Sequence, residues 1–252
     1  MIHYHGGPVT PTVAAYGLWH RRHACVSFAH PQQVSLAADV CQSFILDNGA
    51  YSAWTQGSAF DFDGYVAWVR EWMSHPAFDW CLIPDVIDGD ASENDGMIAR
   101  WAQAGMPLID GRAVPVWHLH ESTERLRYLC HAYPRVALGS SGQWATVGTA
   151  GWWQRMEEII PAICDEQGRP KCKLHGLRML APDVFRYLPL ASADSTNVAR
   201  NIGIDKAWKG TYAPMTAQMR ALVMAERIEL SPCAASWTPA NAHQNHLEMV
   251  NA

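Results

Sequence analysis

The chain of 252 residues is short for two typical domains and has the length at which single α/β barrels commonly close. With 49% hydrophobic, 10% aromatic and 17% charged residues it can bury a large core, which excludes a disordered chain. Its net charge of −5 argues against generic polyanion binding, and its longest apolar runs, such as Ala132 to Leu138 with Arg135 inside it, fall far short of a membrane span.

Short β-like runs alternate with helical stretches along the whole chain. Ile2 to His5 is followed by a helix at Val13 to His20, a strand at Cys25 to Ala29, a helix at Val34 to Val40 and a strand at Phe44 to Gly49. The rhythm then repeats with longer helices. Tyr65 to Met73 leads to Trp80 to Asp85, Ala91 to Ala104 to Val114 to His120, Thr123 to Ala132 to Val136 to Ser140, and Trp152 to Cys164 to Lys173 to Leu177. Pro182 to Tyr187 is a short helical link before Leu190 to Ser195, and Met215 to Glu229 reads as a closing helix. Strands separated by helices run parallel, and eight of them predict a single (β/α)8 TIM-type barrel over residues 1–230. Residues 231–252 read as a polar, loosely ordered tail. An open doubly wound sheet is the competing architecture. Its G-x-G-x-x-G turn is missing, because Gly6-Gly7-Pro8 does not supply it.

The seven cysteines are odd in number, scattered singly and without a C-x-x-C pair, as buried thiols of a reducing compartment would be. Met1-Ile2-His3-Tyr4-His5 lacks the basic-then-apolar pattern of a signal peptide, so the cytoplasm, bacterial or of a phage-infected host, is the expected location. Charge is uneven along the chain: Asp39 to Asp95 carries eleven acidic residues against Arg70 alone, whereas Arg169 to Lys209 carries eight Lys or Arg against three Asp. The second stretch predicts a basic flank.

Barrel chemistry gathers at the carboxyl ends of strands, and an unusual number of polar residues stand there. In order they are His3 and His5, Ser27, Asp47 with Asn48, Asp85 with Asp88, His118 and His120, Gly139-Ser140-Ser141-Gly142, His175 with Arg178, and Asp194 with Ser195 and Asn197. Each carboxylate alone has an alternative as an Asx-turn or helix cap. Three of them at one mouth would perturb one another's pKa values, which favours function over capping. The Gly139 loop presents backbone N–H groups able to cradle a phosphate or a polar ring edge, or is a plain turn. Most of the twelve tryptophans, Trp54 and Trp144 among them, are expected in packing, with one or two free to stack a base.

Phe44-Ile45-Leu46-Asp47-Asn48-Gly49-Ala50-Tyr51 resembles the Asp-Ser-Gly-Gly-(Phe/Tyr) strand end of the tRNA-guanine transglycosylase superfamily. In register with it, Pro84-Asp85 resembles that family's purine-recognising Asp, Ala137-Leu138-Gly139-Ser140 its base-binding loop, and Asp194-Ser195-Thr196-Asn197-Val198-Ala199-Arg200-Asn201 the segment with its nucleophilic Asp and following Arg. The phrases Pro115-Val116-Trp117-His118-Leu119-His120-Glu121 and His175-Gly176-Leu177-Arg178-Met179-Leu180 look most like phage and prophage relatives that insert a deazaguanine base into DNA. There are two departures. Asp47-Asn48-Gly49-Ala50 replaces Asp-Ser-Gly-Gly, and the family's Cys-x-Cys-x-x-Cys…His zinc site has no counterpart, Cys233, His243 and His246 being too few and oddly spaced.

The resemblance implies an enzyme that exchanges guanine for a 7-deazaguanine-type base, in DNA rather than tRNA, without a cofactor, and it allows a homodimer. Retained configuration needs two displacements, with Asp194 as nucleophile and Asp47 as acid/base. Asp85 and Gly139 would read the purine edge, and His118, His120, Ser140, Ser141, His175, Arg178, Asn197 and Arg200 would contact substrate. A duplex substrate would have to flip its base into the mouth, and the basic stretch would hold phosphates. The main alternative is a metal-dependent hydrolase of the amidohydrolase type. It would use His3, His5, His118 or His120, and Asp194 as ligands, but lacks a histidine at Gly139-Ser140. A non-catalytic nucleic-acid-binding or phage structural protein is a third reading, and it predicts no carboxylate cluster in a pocket.

Overall fold

In the computed structural model, residues 1–108, 110–203, 208 and 211–238 are described. The strands are β1 (Ile2–Gly6), β2 (His23–Ser27), β3 (Ser43–Asp47), β4 (Phe78–Leu82), β5 (Ala113–Val114), β6 (Val116–His118), β7 (Arg135–Gly139), β8 (Lys173–Gly176) and β9 (Ser192–Ser195). All of their pairings are parallel, in the order β5-β4-β3-β2-β1-β9-β8-β7-β6. The two end strands are separated in sequence by Pro115 alone, whose carbonyl accepts from the Ala137 amide at 2.9 Å. The sheet is therefore nearly closed and barrel-shaped. Proline has no N–H to give a ladder, and at Pro115 the expected strand Val114 to His120 breaks in two.

The helices are α1 (Thr12–Trp19), α2 (Val34–Val40), α3 (Ala50–Thr55), α4 (Phe62–Trp72), α5 (Ala91–Gln103), α6 (Thr123–Ala132), α7 (Ala150–Ile159), α8 (Pro182–Phe185), α9 (Asn197–Asn201) and α10 (Ala217–Glu229). Their starts are where the side-chain chemistry puts them. Asp61, Ser122, Thr149 and Thr216 each accept a backbone N–H of the first turn, and Asp90 with Glu93 forms a capping box. The two short helices α3 and α9 follow the strand ends at Asp47 and Asp194, where only turns are legible in the sequence.

Two apolar regions divide the buried residues. The larger lies between sheet and helices and includes Trp19, Phe44, Trp101, Trp117, Leu126, Trp152 and Phe185. The smaller fills the inside of the sheet with Tyr4, Cys25, Ile45, Trp80, Leu82, Val114, Val116 and Ala137. Strand β4 enters the inner region through an irregularity: Phe44 pairs with Phe78 but Ile45 pairs with Trp80, so Asp79 is the extra residue of a bulge. Phe78 accordingly packs outward, while Trp80 and Leu82 point inward. Asp79 accepts a hydrogen bond from the Tyr4 hydroxyl.

The basic stretch does not form one flank. Lys173 opens β8, so Arg169, Lys171 and Lys173 stand at or before the amino end of that strand, away from Asp194 near the carboxyl end of β9, and Arg169 is paired with Asp165 at 3.0 Å. A segment that enters a strand at one end and leaves at the other distributes its charges over both. Lys206 and Lys209 lie outside the described residues. Of the tail, Ser231 to Thr238 is described; Trp237 is buried and donates its amide to the Gly168 carbonyl at 2.7 Å, while 239–252 lie outside the described residues. No described helix is long and apolar enough to cross a membrane.

Trp80 is the central test of the inner region, because its ring meets His175 at 4.7 Å, Tyr4 at 5.8 Å and the Arg135 guanidinium at 5.0 Å. Trp80→Ala is expected to lose about 3–5 kcal/mol in urea unfolding, as large-to-small changes of fully buried aromatics do; a loss below about 1 kcal/mol would mean that the inner region is not packed as described.

Candidate active site

Because every strand runs the same way, the segments following β3, β4, β6, β7, β8 and β9 emerge on one side, and with them the residues expected to carry chemistry. Asp47 is the last residue of β3 and lies opposite Ser27 in the register with β2. Burial raises its carboxyl to about 7; the charges of Asp194 and Asp85 push the same way, against hydrogen bonds from the Ser27 hydroxyl and the Gly49 amide. The three carboxylates therefore share one electrostatic neighbourhood. Beneath them Cys25 is buried, and burial together with the charges of Asp194 and Asp47 raises its thiol far from a reactive thiolate.

Asn48 explains the turn after β3. Its Oδ1 accepts from the Ala50 amide at 2.8 Å, while its Nδ2 donates to the Ile83 carbonyl at 3.0 Å and to Asp85 Oδ1 at 2.7 Å. Gly49 has φ 76°, and a Cβ there would meet the Ala29 amide nitrogen at 3.0 Å, so glycine is required. Asp85 is held again from the other side: its Oδ2 lies 2.8 Å from His118 Nε2, both side chains being nearly buried. His118 Nδ1 is buried with no hydrogen-bond partner among the described residues. It sits against Gly139, where a Cβ would lie 2.9 Å from it. Gly139 is thus needed for the imidazole to fit.

His120 stacks on His118 with ring centroids 5.5 Å apart, donates Nε2–H to the Gly89 carbonyl at 2.8 Å and accepts at Nδ1 from the Ser141 hydroxyl at 3.0 Å. Ser140 faces elsewhere: its Oγ accepts from Trp152 Nε1 at 2.9 Å and its carbonyl accepts from the Arg178 guanidinium, so this hydroxyl fastens the loop to α7. Arg178, at φ 61°, also lies over the Tyr51 ring at 4.6 Å. Between these loops a cleft of about 380 Å³ is lined by Tyr51, Trp54, Ile87, Asp88, His120, Ser141, Gly142 and Ala145, and the two aromatics on α3 are half-exposed in it.

On the far side of the mouth, His175 Nε2 lies 3.2 Å from Asp194 Oδ1, which also receives the Arg178 amide at 3.2 Å. Asn197 is instead engaged within its own helix, its Oδ1 accepting from Asn201 Nδ2 at 2.7 Å. Arg200 is exposed, with no side-chain hydrogen bond or ion pair among the described residues. Arg135, Ser192 and Tyr51 belong to the site without being expected there from the sequence, while Asn48 stands in the sequence only as the neighbour of Asp47 at a strand end, with no role assigned. Their signals were weak: Arg135 interrupts an apolar run, and Ser192 precedes Asp194 by the two residues that share a strand face.

The ligand set of a metal-dependent hydrolase is not assembled. His5 points to the helix side, 2.8 Å from Glu229 of α10, and His3 packs edge-on to Phe185 of α8, its burial lowering its pKa to about 4. Alternation along β1 explains this, since Tyr4 takes the inward direction. Among the described residues no group of three or more His, Cys, Asp or Glu is arranged to hold a metal.

No family model, curated protein or solved structure matches this chain.

Between the ordinary 3.8 and about 7, folded Asp47 keeps a proton that the unfolded chain has released, so stability falls as pH rises through that window. Asp47→Asn is neutral throughout. Its melting temperature relative to wild type is expected to climb from about pH 4 to pH 7 and then level off, and a difference independent of pH would place Asp47 in an ordinary carboxylate environment.

Proposed function

We propose that this protein is a base-exchange enzyme that replaces guanine in a nucleic acid by a 7-deazaguanine-type base, with DNA favoured over tRNA. The observation that carries the reading is the meeting of Asp47, raised to about 7, with Asp85 and Asp194 at one mouth of a parallel sheet. Counting β5 and β6 as one strand interrupted at Pro115, that sheet is a (β/α)8 barrel, the architecture in which such a mouth is the reacting end. An acid/base poised near neutral pH beside a second carboxylate is the pair that a retaining exchange at a glycosidic carbon requires.

Asp194 attacks C1′ of the sugar and the C1′–N9 bond breaks, its electron pair leaving with guanine. Asp47, protonated, gives its proton to the departing base. The incoming deazaguanine then loses its N9 proton to the Asp47 carboxylate and attacks C1′, which releases Asp194 and restores the original configuration. Asp85, fixed by Asn48 and His118, presents acceptor oxygens to the base's N–H edge. The half-exposed Tyr51 and Trp54 supply faces on which a flipped base can stack.

Incubation with labelled guanine and either duplex DNA or tRNA, followed by nucleoside analysis, tests the exchange. Mass spectrometry after denaturation is expected to find a sugar adduct on Asp194. Asp194→Asn should bind nucleic acid yet form none, and an adduct on another residue or full activity in this variant would overturn the assignment. Asp85→Ala is expected to weaken binding of a deazaguanine base by about 1.5–3 kcal/mol in calorimetry, the value of a hydrogen bond to a charged group; unchanged affinity would leave Asp85 with a purely structural role.

A further inference from the structure

A column of polar side chains runs through the inner region from the amino end of the sheet to the mouth. Arg135, the first residue of β7, is buried and donates from Nη1 to Ser192 Oγ at 2.8 Å. Ser192 lies opposite His175 in the register of β8 with β9, and its Oγ is 2.9 Å from His175 Nδ1. His175 Nε2 in turn meets Asp194 Oδ1.

The direction of every bond in this column is fixed by what each group can do. A guanidinium only donates, so Ser192 Oγ accepts from Arg135 and its own hydrogen is free for His175 Nδ1. His175 is fully buried, and burial lowers its pKa despite the neighbouring Asp194, so the ring is neutral and carries one proton. That proton is on Nε2, because the Asp194 carboxylate can only accept, and Nδ1 accordingly accepts the free hydrogen of Ser192. Both donors to this carboxylate, His175 Nε2 and the Arg178 amide, reach Oδ1, whereas Oδ2 makes no hydrogen bond among the described residues.

We propose that His175, locked in one tautomer by Ser192 and Arg135, is a positioning residue that engages Oδ1 of Asp194 and reserves Oδ2 for bond formation at the sugar. This rests on the reading of Asp194 as the nucleophile. A carboxylate held on one oxygen cannot rotate its free oxygen away from the reacting carbon, and misplacement by an ångström is enough to slow such a step strongly.

The test compares His175→Leu, which keeps bulk and loses the donor, with His175→Gln, whose Nε2 still donates. Rates of Asp194 adduct formation and apparent KM for the base are measured for both, together with imidazole nitrogen shifts of the wild-type protein by NMR. His175→Leu is expected to slow adduct formation by about 10²-fold with KM unchanged, His175→Gln to recover most of the rate, and the nitrogen shifts to show a proton on Nε2 alone. Should His175→Leu fail to fold, Ser192→Ala frees the tautomer in place, and a slower adduct rate with an intact fold is the expected result. Wild-type rates in His175→Leu or Ser192→Ala, equal losses in the Leu and Gln variants, or a proton on Nδ1 would each overturn the proposal. Absence of any adduct in wild type would defeat the transglycosylase reading instead, while the nitrogen shifts would still decide the geometry at His175.

Discussion

Everything at the mouth depends on the common direction of the strands. A parallel sheet that nearly closes delivers the carboxyl end of every strand to one rim, and here three of the residues at or just beyond those ends are carboxylates: Asp47 closing β3, Asp85 after β4 and Asp194 near the end of β9. Such a concentration of negative charge is unfavourable unless each member is occupied. Asp85 is held between Asn48 and His118, Asp194 accepts from His175 and the Arg178 amide, and Asp47, buried and repelled by the other two, keeps its proton to about 7. Different answers to one electrostatic problem give the carboxylates different chemistry.

The inner region solves a second problem. Apolar packing around Tyr4, Trp80 and Val116 excludes water, so each polar group inside must find a protein partner. Arg135 finds Ser192 and the face of Trp80; Tyr4 finds Asp79; His23 finds Ser43 at 2.8 Å. Trp80 Nε1 and His118 Nδ1 remain without partners among the described residues, and the second of these lies against Gly139 at the end of β7.

Much of the fold was legible because the hydrophobic rhythm of a parallel α/β chain is strong and helix caps such as Asp90, Ser122 and Thr149 carry local signals. The strand-end residues Asp47, Asp85, His118, Gly139, His175 and Asp194 were legible for the same reason, since a polar residue after an apolar run marks its rim. What escaped was whatever depends on partners remote in sequence. His5 and His118 look alike as histidines at strand ends, yet one is committed to Glu229 on the outer side and the other to Asp85 at the mouth. Ser140 looks like a ligand in a Gly-Ser turn, and only the proximity of Trp152 reveals that its hydroxyl is taken. The charge of a linear segment likewise said nothing about its division between the two ends of β8.

The extra residue at Asp79 sets the phase of β4. Upstream of it Phe78 faces the helices, and downstream Trp80 and Leu82 face inward, an arrangement that uninterrupted alternation cannot give. Insertions and deletions in this strand are consequently not equivalent by position. Removing Asp79 alone would leave a regular ladder in which Phe78 still faces the helices and Trp80 and Leu82 still face inward, at the cost of the Tyr4 hydroxyl's partner, whereas a residue added between Trp80 and Leu82 would put those two on opposite faces. In a lineage of such chains, length would be free to drift in the loops around the sheet, while within β4 the bulge at Asp79 is the position whose loss leaves the orientation of the tryptophan intact.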